Sequence, residues 1–379
     1  MQIDNINDWD DLNINRNLLR GIYAYGFEKP SSIQQKGILP IINKNDILAQ
    51  AQSGTGKTGT FVIGGLASLD LLNSNTQVII LSPTRELSRQ IYEVSNNIGC
   101  YLKNLKIKLL IGGNMIDEDI NDLNKNDSQV IIGCPGRVHD MIRRNFISTK
   151  DIKLIIFDEA DELLSTGFTD QINNILNKLD KNIQMAFFTA TVPSSLEELI
   201  NNYKKKPLKI KVKQDLLTLE GIQQYYVLLE NDIEKYRMLK EIYNKISISQ
   251  TIIYCNSIKR VADLYDAMTE DNYPVCCIHS NMDKKERENS YNEFKQGKYR
   301  VLISSNVTSR GIDIQQVSTV INFDIPKCVH NYLHRIGRSG RWGRKGNGIN
   351  FITKRDIKKM KEIEGFYSTE IKELTEDIF

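Results

Sequence analysis

Short, predominantly apolar runs separated by stretches of helix length leave this chain few folds to adopt. In the first half they occupy residues 47–49, 78–81, 130–132, 154–157 and 185–188. In the second they occupy 251–255, 275–278, 301–303, 320–323 and 349–352. A run that is apolar with no strict alternation suits a strand covered on both faces, as in a parallel sheet between layers of helix. The expected fold class is therefore α/β, with each half forming its own parallel-sheet sandwich. A chain of 379 residues has room for two such domains. The break is expected near 204–219, where a basic stretch containing Pro207 interrupts the alternation. This gives domains 1–212 and 213–379 joined by a flexible linker, with 204–213 read as a solvated charge run.

Charge and composition exclude several classes of function. The net charge is +3, and the first 215 residues are electrically balanced. No broad positive field is available to draw in a polyanion, so nucleic-acid binding would depend on local cations and backbone donors. No run of eighteen apolar residues occurs, and no membrane partner is expected. The N-terminal residues are polar and acidic, without the apolar core of a signal peptide. The six cysteines include no C-x-x-C pair and are read as reduced intracellular thiols.

Chemistry enters with Ala51-Gln52-Ser53-Gly54-Thr55-Gly56-Lys57-Thr58, which follows the first apolar run and precedes a helical pattern. That is the strand–loop–helix context of a phosphate-binding loop. The glycines let backbone N–H groups curl around phosphates, and the helix N-terminus adds its dipole. Lys57 would reach the β- and γ-phosphates, and Thr58 would ligate Mg²⁺. The acidic group Asp158-Glu159-Ala160-Asp161 ends another apolar run. Asp158 is positioned to hold Mg²⁺ through water, and Glu159 to orient or deprotonate the attacking water. Ala51 departs from the general phosphate-loop pattern, which has glycine there.

This combination resembles the DEAD-box RNA helicases, and the resemblance extends from about Trp9 to the C-terminus. It implies two RecA-like domains, ATP and Mg²⁺ as cofactors, and RNA bound without sequence preference. The segment from Gly26 and Phe27 to Gln34 resembles the family's adenine-reading motif. Gln34 would pair with the adenine edge, and Trp9 stands where the family has an aromatic residue that stacks on the base. Three stretches resemble RNA-contacting loops: Pro83-Thr84-Arg85, Gly112-Gly113, and Cys134-Pro135-Gly136-Arg137. Thr189-Ala190-Thr191 takes the place of the family's Ser-Ala-Thr.

In the second half, Ser305 and Gly311 would lie near RNA and Asp313 near the ribose of ATP. His334 belongs to the motif that carries Arg338 and Arg341, the expected arginine fingers on the γ-phosphate. Arg287 would bind RNA phosphate. The chain departs from the family at Cys134, Thr189, Ser280, Lys284 and Asn306, and RNA affinity is expected to shift with those changes.

Within the family, the stretches 18–35, 217–223 and 334–346 resemble the branch that serves translation initiation and its exon-junction counterpart. That implies an initiation scaffold protein as partner, a monomer, and a cytoplasmic location, or a nuclear one for the exon-junction alternative. An ATP-locked RNA clamp and a ribosome-biogenesis helicase are the competing roles. An inactive scaffold is disfavoured by the intact Lys57, Asp158, Glu159, Arg338 and Arg341.

Overall fold

The computed structural model describes residues 6–51, 54–113, 115–125, 128–165, 167–211, 222–245, 250–305, 317–337, 339 and 346–375. The chain divides into two units, Met1–Lys213 and Gln214–Phe379.

The first unit begins with a 3-10 turn, Trp9–Asp11, then α1 (Arg16–Ala24) and α2 (Ser32–Ile42). Strand and helix then alternate: β1 (Ile47–Gln50), α3 (Lys57–Ala67), β2 (Val78–Leu81), α4 (Arg85–Gly99), β3 (Ile107–Leu110), α5 (Ile116–Lys125), β4 (Val130–Gly133) and α6 (Pro135–Arg143). The unit is completed by β5 (Leu154–Asp158), α7 (Ala160–Ser165), α8 (Thr169–Leu176), β6 (Gln184–Thr189), α9 (Ser194–Asn202) and β7 (Leu208–Lys211). The sheet is parallel throughout, in the order β3-β4-β2-β5-β6-β1-β7.

Successive residues of a strand point to opposite faces, and both faces are packed. Val78 and Ile80 join one apolar cluster with Phe61 and Ile91, while Ile79 joins the other with Met141 and Leu163. This two-sided burial explains why the runs are apolar without alternation. The half-exposed edge strands β3 and β7 escape that rule. Leu208-Lys-Ile-Lys alternates apolar and charged residues, so the stretch read as a solvated charge run contains an edge strand paired with β1.

The second unit holds β8 (Ile222–Leu228), α10 (Asp232–Lys245), β9 (Thr251–Tyr254), α11 (Ile258–Glu270), β10 (Val275–Ile278), α12 (Lys284–Lys295) and β11 (Val301–Ser304). It ends with β12 (Thr319–Asn322), α13 (Val329–Ile336), β13 (Gly346–Ile352), α14 (Ile357–Tyr367) and the short β14 (Lys372–Glu373). Its parallel sheet runs β10-β11-β9-β12-β13-β8-β14. Counting strands from the start of each unit, the two orders are the same. No described helix is long and apolar enough to cross a membrane.

Candidate active site

In a parallel sheet every strand delivers its following loop to the same edge. The first unit places its motifs there in spatial sequence. Loops after β3, β4 and β2 carry the candidate RNA contacts, and those after β5, β6 and β1 carry the nucleotide chemistry.

After β1 the backbone turns through Gly54 at φ 83° and Gly56 at φ 100°, both in the left-handed region that glycine enters without strain. Gly56 is the N-cap of α3 and contributes no side-chain cap, so no side chain at that position competes with an anion for the first N–H groups of the helix. Lys57, the first residue of α3, is buried, and its Nζ lies 3.3 Å from Glu159 Oε1. Thr58 is half-buried beside it. Gln52 and Ser53 of this loop lie outside the described residues.

The adenine-reading motif packs against this turn. Ser31 caps α2 in a reciprocal box with Gln34: Ser31 N–H donates to Gln34 Oε1 at 2.7 Å. Ser31 Oγ donates to the Thr55 carbonyl at 2.8 Å, and Gln34 Nε2 donates to the Gly56 carbonyl at 3.4 Å. A Cβ on Gly59 would lie 2.6 Å from Gln34 Nε2 and 3.0 Å from Phe27, so only glycine admits this approach. Gly59 escaped the sequence reading, and Ser31, inside the adenine-reading motif, was given no role of its own. The available signal for Gly59 was a helix-disfavoured residue just past the phosphate loop.

The structure corrects the role expected of Trp9. Its ring is fully enclosed at 0% exposure and stacks on Phe27, with centroids 5.9 Å apart and planes 21° from parallel. An enclosed ring has no face to offer a base. Phe27, half-buried against α3, is the aromatic residue beside the nucleotide turn, and Trp9 supports it from behind.

At the end of β5, Asp158 is buried and Glu159 takes a left-handed φ of 48°. A non-glycine residue in that conformation is strained, and such strain gathers at functional turns. Burial raises the Asp158 carboxyl to about 7, and the neighbouring Glu159 adds to the rise against the opposing pull of Lys57. Hard oxygen donors in a buried site with excess negative charge suit a divalent cation such as Mg²⁺, which Asp158 and the Thr58 hydroxyl would hold. Asp161 accepts a 2.7 Å hydrogen bond from Thr191 Oγ1, and Thr189 Oγ1 donates to the Thr191 carbonyl at 2.6 Å. The acidic turn is thereby tied to the loop after β6.

On the other side of β5, Pro83 is buried and Thr84 caps α4, its Oγ1 accepting from Leu87 N–H. Arg85 lies along the glycine turn after β3. A Cβ at Gly113 would sit 2.6 Å from its Nη1, and one at Gly112 would sit 3.2 Å from its Nη2. Arg85 makes no hydrogen bond or ion pair with a described residue. Pro135 opens α6 and Gly136 is exposed.

Arg137 differs from the expected phosphate grip: its side chain is nearly enclosed and ion-paired with buried Asp119. Cys134 is buried against Ser88, and burial pushes its thiol up to about 11, so it stays neutral. In the second unit Arg287 is likewise buried and donates to the Ser280 carbonyl at 3.0 Å, bracing its own loop. Ser305 is buried at the end of β11, and His334 is buried on α13. Gly311, Asp313, Arg338 and Arg341, with Asn306, lie outside the described residues.

Residues 31–199 match the family model of the DEAD/DEAH box helicase, and residues 234–343 match that of the helicase conserved C-terminal domain. A Debaryomyces hansenii protein named ATP-dependent RNA helicase eIF4A is 47% identical over 98% of this chain and 93% of its own length. The chain belongs to the DEAD-box helicase family. A further DEAD-box relative, eukaryotic initiation factor 4A of Caenorhabditis elegans, is 45% identical over 98% of this chain and 92% of its own. Among solved structures, S. cerevisiae Dbp5 bound to RNA and ADP BeF3 matches with a TM-score of 0.88 and 32% identity, covering 97% of this chain and 95% of that one. Mss116p bound to ssRNA and AMP-PNP matches with a TM-score of 0.87 and 26% identity, covering 99% and 81%.

Proposed function

We propose that the chain is an ATP-dependent RNA helicase of the initiation factor 4A kind. The observation that carries the reading is the arrangement around the open N-terminus of α3. Gln34 and Phe27 sit against it on one side, and the buried Lys57–Glu159 pair lies beneath it.

Gln34 keeps a second lone pair on Oε1 and a second N–H on Nε2, enough to read the amine and N7 of adenine together. Phe27 stacks on the base. Lys57 exchanges Glu159 for phosphate, which frees the Glu159 carboxylate to orient water and accept its proton. Mg²⁺, held by Asp158 and Thr58, supplies charge neutralisation at the phosphates. By resemblance to the family, Arg338 and Arg341 would stabilise charge developing on the γ-phosphate, with His334 in the same motif and Asp313 assigned to the ribose; Arg338, Arg341 and Asp313 lie outside the described residues.

RNA is gripped mainly through backbone N–H groups at Gly112, Gly113 and the start of α6, together with Arg85 and the Ser305 and Gly311 loops. Contacts of that kind do not depend on base identity. The role in translation rests on the relatives' names. It implies an initiation scaffold as partner and a cytoplasmic site of action.

The test is ATP hydrolysis with and without single-stranded RNA, using ATP and GTP in parallel, followed by strand separation on short duplexes. Stimulation by RNA of unrelated sequences is expected, with ATP strongly preferred over GTP and the preference lost in Gln34→Ala. Equal rates with GTP would remove the role given to Gln34. Hydrolysis indifferent to RNA would remove the RNA reading.

A further inference from the structure

We propose that Asp119 is a positioning residue for RNA, acting through Arg137 to lock together the two loops that present backbone donors. Its carboxylate is buried in the first turn of α5, the helix that follows the Gly112-Gly113 turn. Arg137 stands in the first turn of α6, the helix that follows β4. The ion pair between them therefore bridges the starts of two helices, each entered from a candidate RNA loop. Lys108 on β3 adds a second cation 3.8 Å from Asp119. The strands beneath are equally close: Cys134 N–H donates to the Leu110 carbonyl at 3.1 Å, and a Cβ on Gly133 would lie 2.1 Å from that oxygen.

A phosphate grip needs an accessible cation, and the Arg137 side chain is only 10% exposed. A guanidinium held by a buried carboxylate instead sets the angle between two helix N-termini, and so the spacing of the N–H groups they offer. Asp119 itself is a negative charge beside a surface read as binding a polyanion. If its effect were electrostatic, it would weaken RNA binding. Its placement against Arg137 and Lys108 assigns it the opposite effect.

The inference rests on the RNA reading above, and the two can fail separately. The experiment measures the RNA concentration giving half-maximal ATPase stimulation, over a series of salt concentrations, for wild type, Asp119→Asn, Asp119→Glu and Arg137→Met. For Asp119→Asn the half-saturating RNA concentration should rise about tenfold. The slope of log affinity against log salt should stay that of wild type, and RNA-free hydrolysis and the KM for ATP should not change. Asp119→Glu should recover most of the loss by restoring the pair. Arg137→Met should resemble Asp119→Asn, also with an unchanged salt slope.

Tighter or unchanged RNA binding by Asp119→Asn overturns the proposal. So does a salt slope shallower by about 0.7 in Arg137→Met, the value for one lost phosphate contact on a single strand. A wild-type enzyme that ignores RNA would instead overturn the reading on which the proposal rests.

Discussion

The two units share one strand order, yet they treat the helix that follows the first strand differently, and one pair of residues shows how. In the first unit a lysine in the opening turn of the helix after strand one meets a carboxylate following strand five: Lys57 and Glu159, 3.3 Å apart. The second unit repeats the pairing on the same elements. Lys235, in the opening turn of α10, lies 3.6 Å from Asp324, just beyond β12. The difference lies in what surrounds the pair.

Ahead of α3 stand glycines, and its N-cap, Gly56, contributes no side-chain cap. Ahead of α10 stands Asn231, whose Oδ1 accepts from Ile233 and Glu234 N–H, while Glu234 reaches back to Glu230 N–H. Those donors are closed off by the chain itself, and a phosphate would find them taken. Asp324 is also held by Arg260 Nε at 2.9 Å, and Lys235 donates to the Phe323 carbonyl at 2.9 Å. The second unit has satisfied its pair. The first has a glycine N-cap, a left-handed Glu159 backbone and a buried Asp158 short of compensation, conditions that suit the proposed binding of Mg²⁺ and ATP.

The largest effect should fall on catalysis. Glu159→Gln is expected to bind ATP but hydrolyse it at least about 10²-fold more slowly. Asp324→Asn should leave the rate per folded molecule within a few-fold of wild type. Single-turnover hydrolysis separates the two, and a comparable rate loss in both would mean that the second pair is not inert.

Stability should show the reverse order. Lys235→Met breaks a buried pair, leaves the Phe323 carbonyl without its donor, and should lower unfolding free energy by about 3 kcal/mol, less whatever Arg260 recovers. Lys57→Met should destabilise the protein less, because among the described residues Lys57 hydrogen-bonds Glu159 alone and its loss strands no backbone carbonyl. Denaturant titration of both variants tests this, and equal losses would erase the contrast.

A smaller effect should follow pH. The Asp158 carboxyl is raised from 3.8 to about 7 in the folded state. The native state therefore holds a proton that the unfolded state has released, and this group lowers stability as pH rises through that window, with no further loss above about 7. Asp158→Asn should thus melt higher than wild type at pH 8. The gap should close as pH falls toward 4, and ATP hydrolysis should be absent at every pH. A variant that melts lower than wild type at pH 8 would mean that burial does not dominate at Asp158. The smallest effect expected is that of Asn231→Ala, about 1 kcal/mol from a lost cap, read as a shift in the denaturant midpoint.

The sequence by itself determined what depends on neighbouring residues. The doubly buried strands were readable as predominantly apolar runs without alternation. The phosphate loop was readable because strand, glycine turn and helix follow one another within the same short segment. The acidic turn was equally plain, since Asp158 and Glu159 are adjacent and end an apolar run.

Tertiary structure alone decided the rest. Edge strands β3 and β7 have one side open to water, so their composition resembles that of loops. Trp9 became a support rather than a platform because Phe27, eighteen residues on, covers its ring. Arg137 and Arg287 looked like phosphate ligands by type, yet packing turned them inward toward Asp119 and Ser280. Lys235 and Asp324, 89 residues apart, carry no motif at all. A local motif brings its own geometry, because bonded neighbours cannot move far apart. The partner of a buried charge is chosen by whichever element the fold lays beside it, and no short window of sequence contains that element.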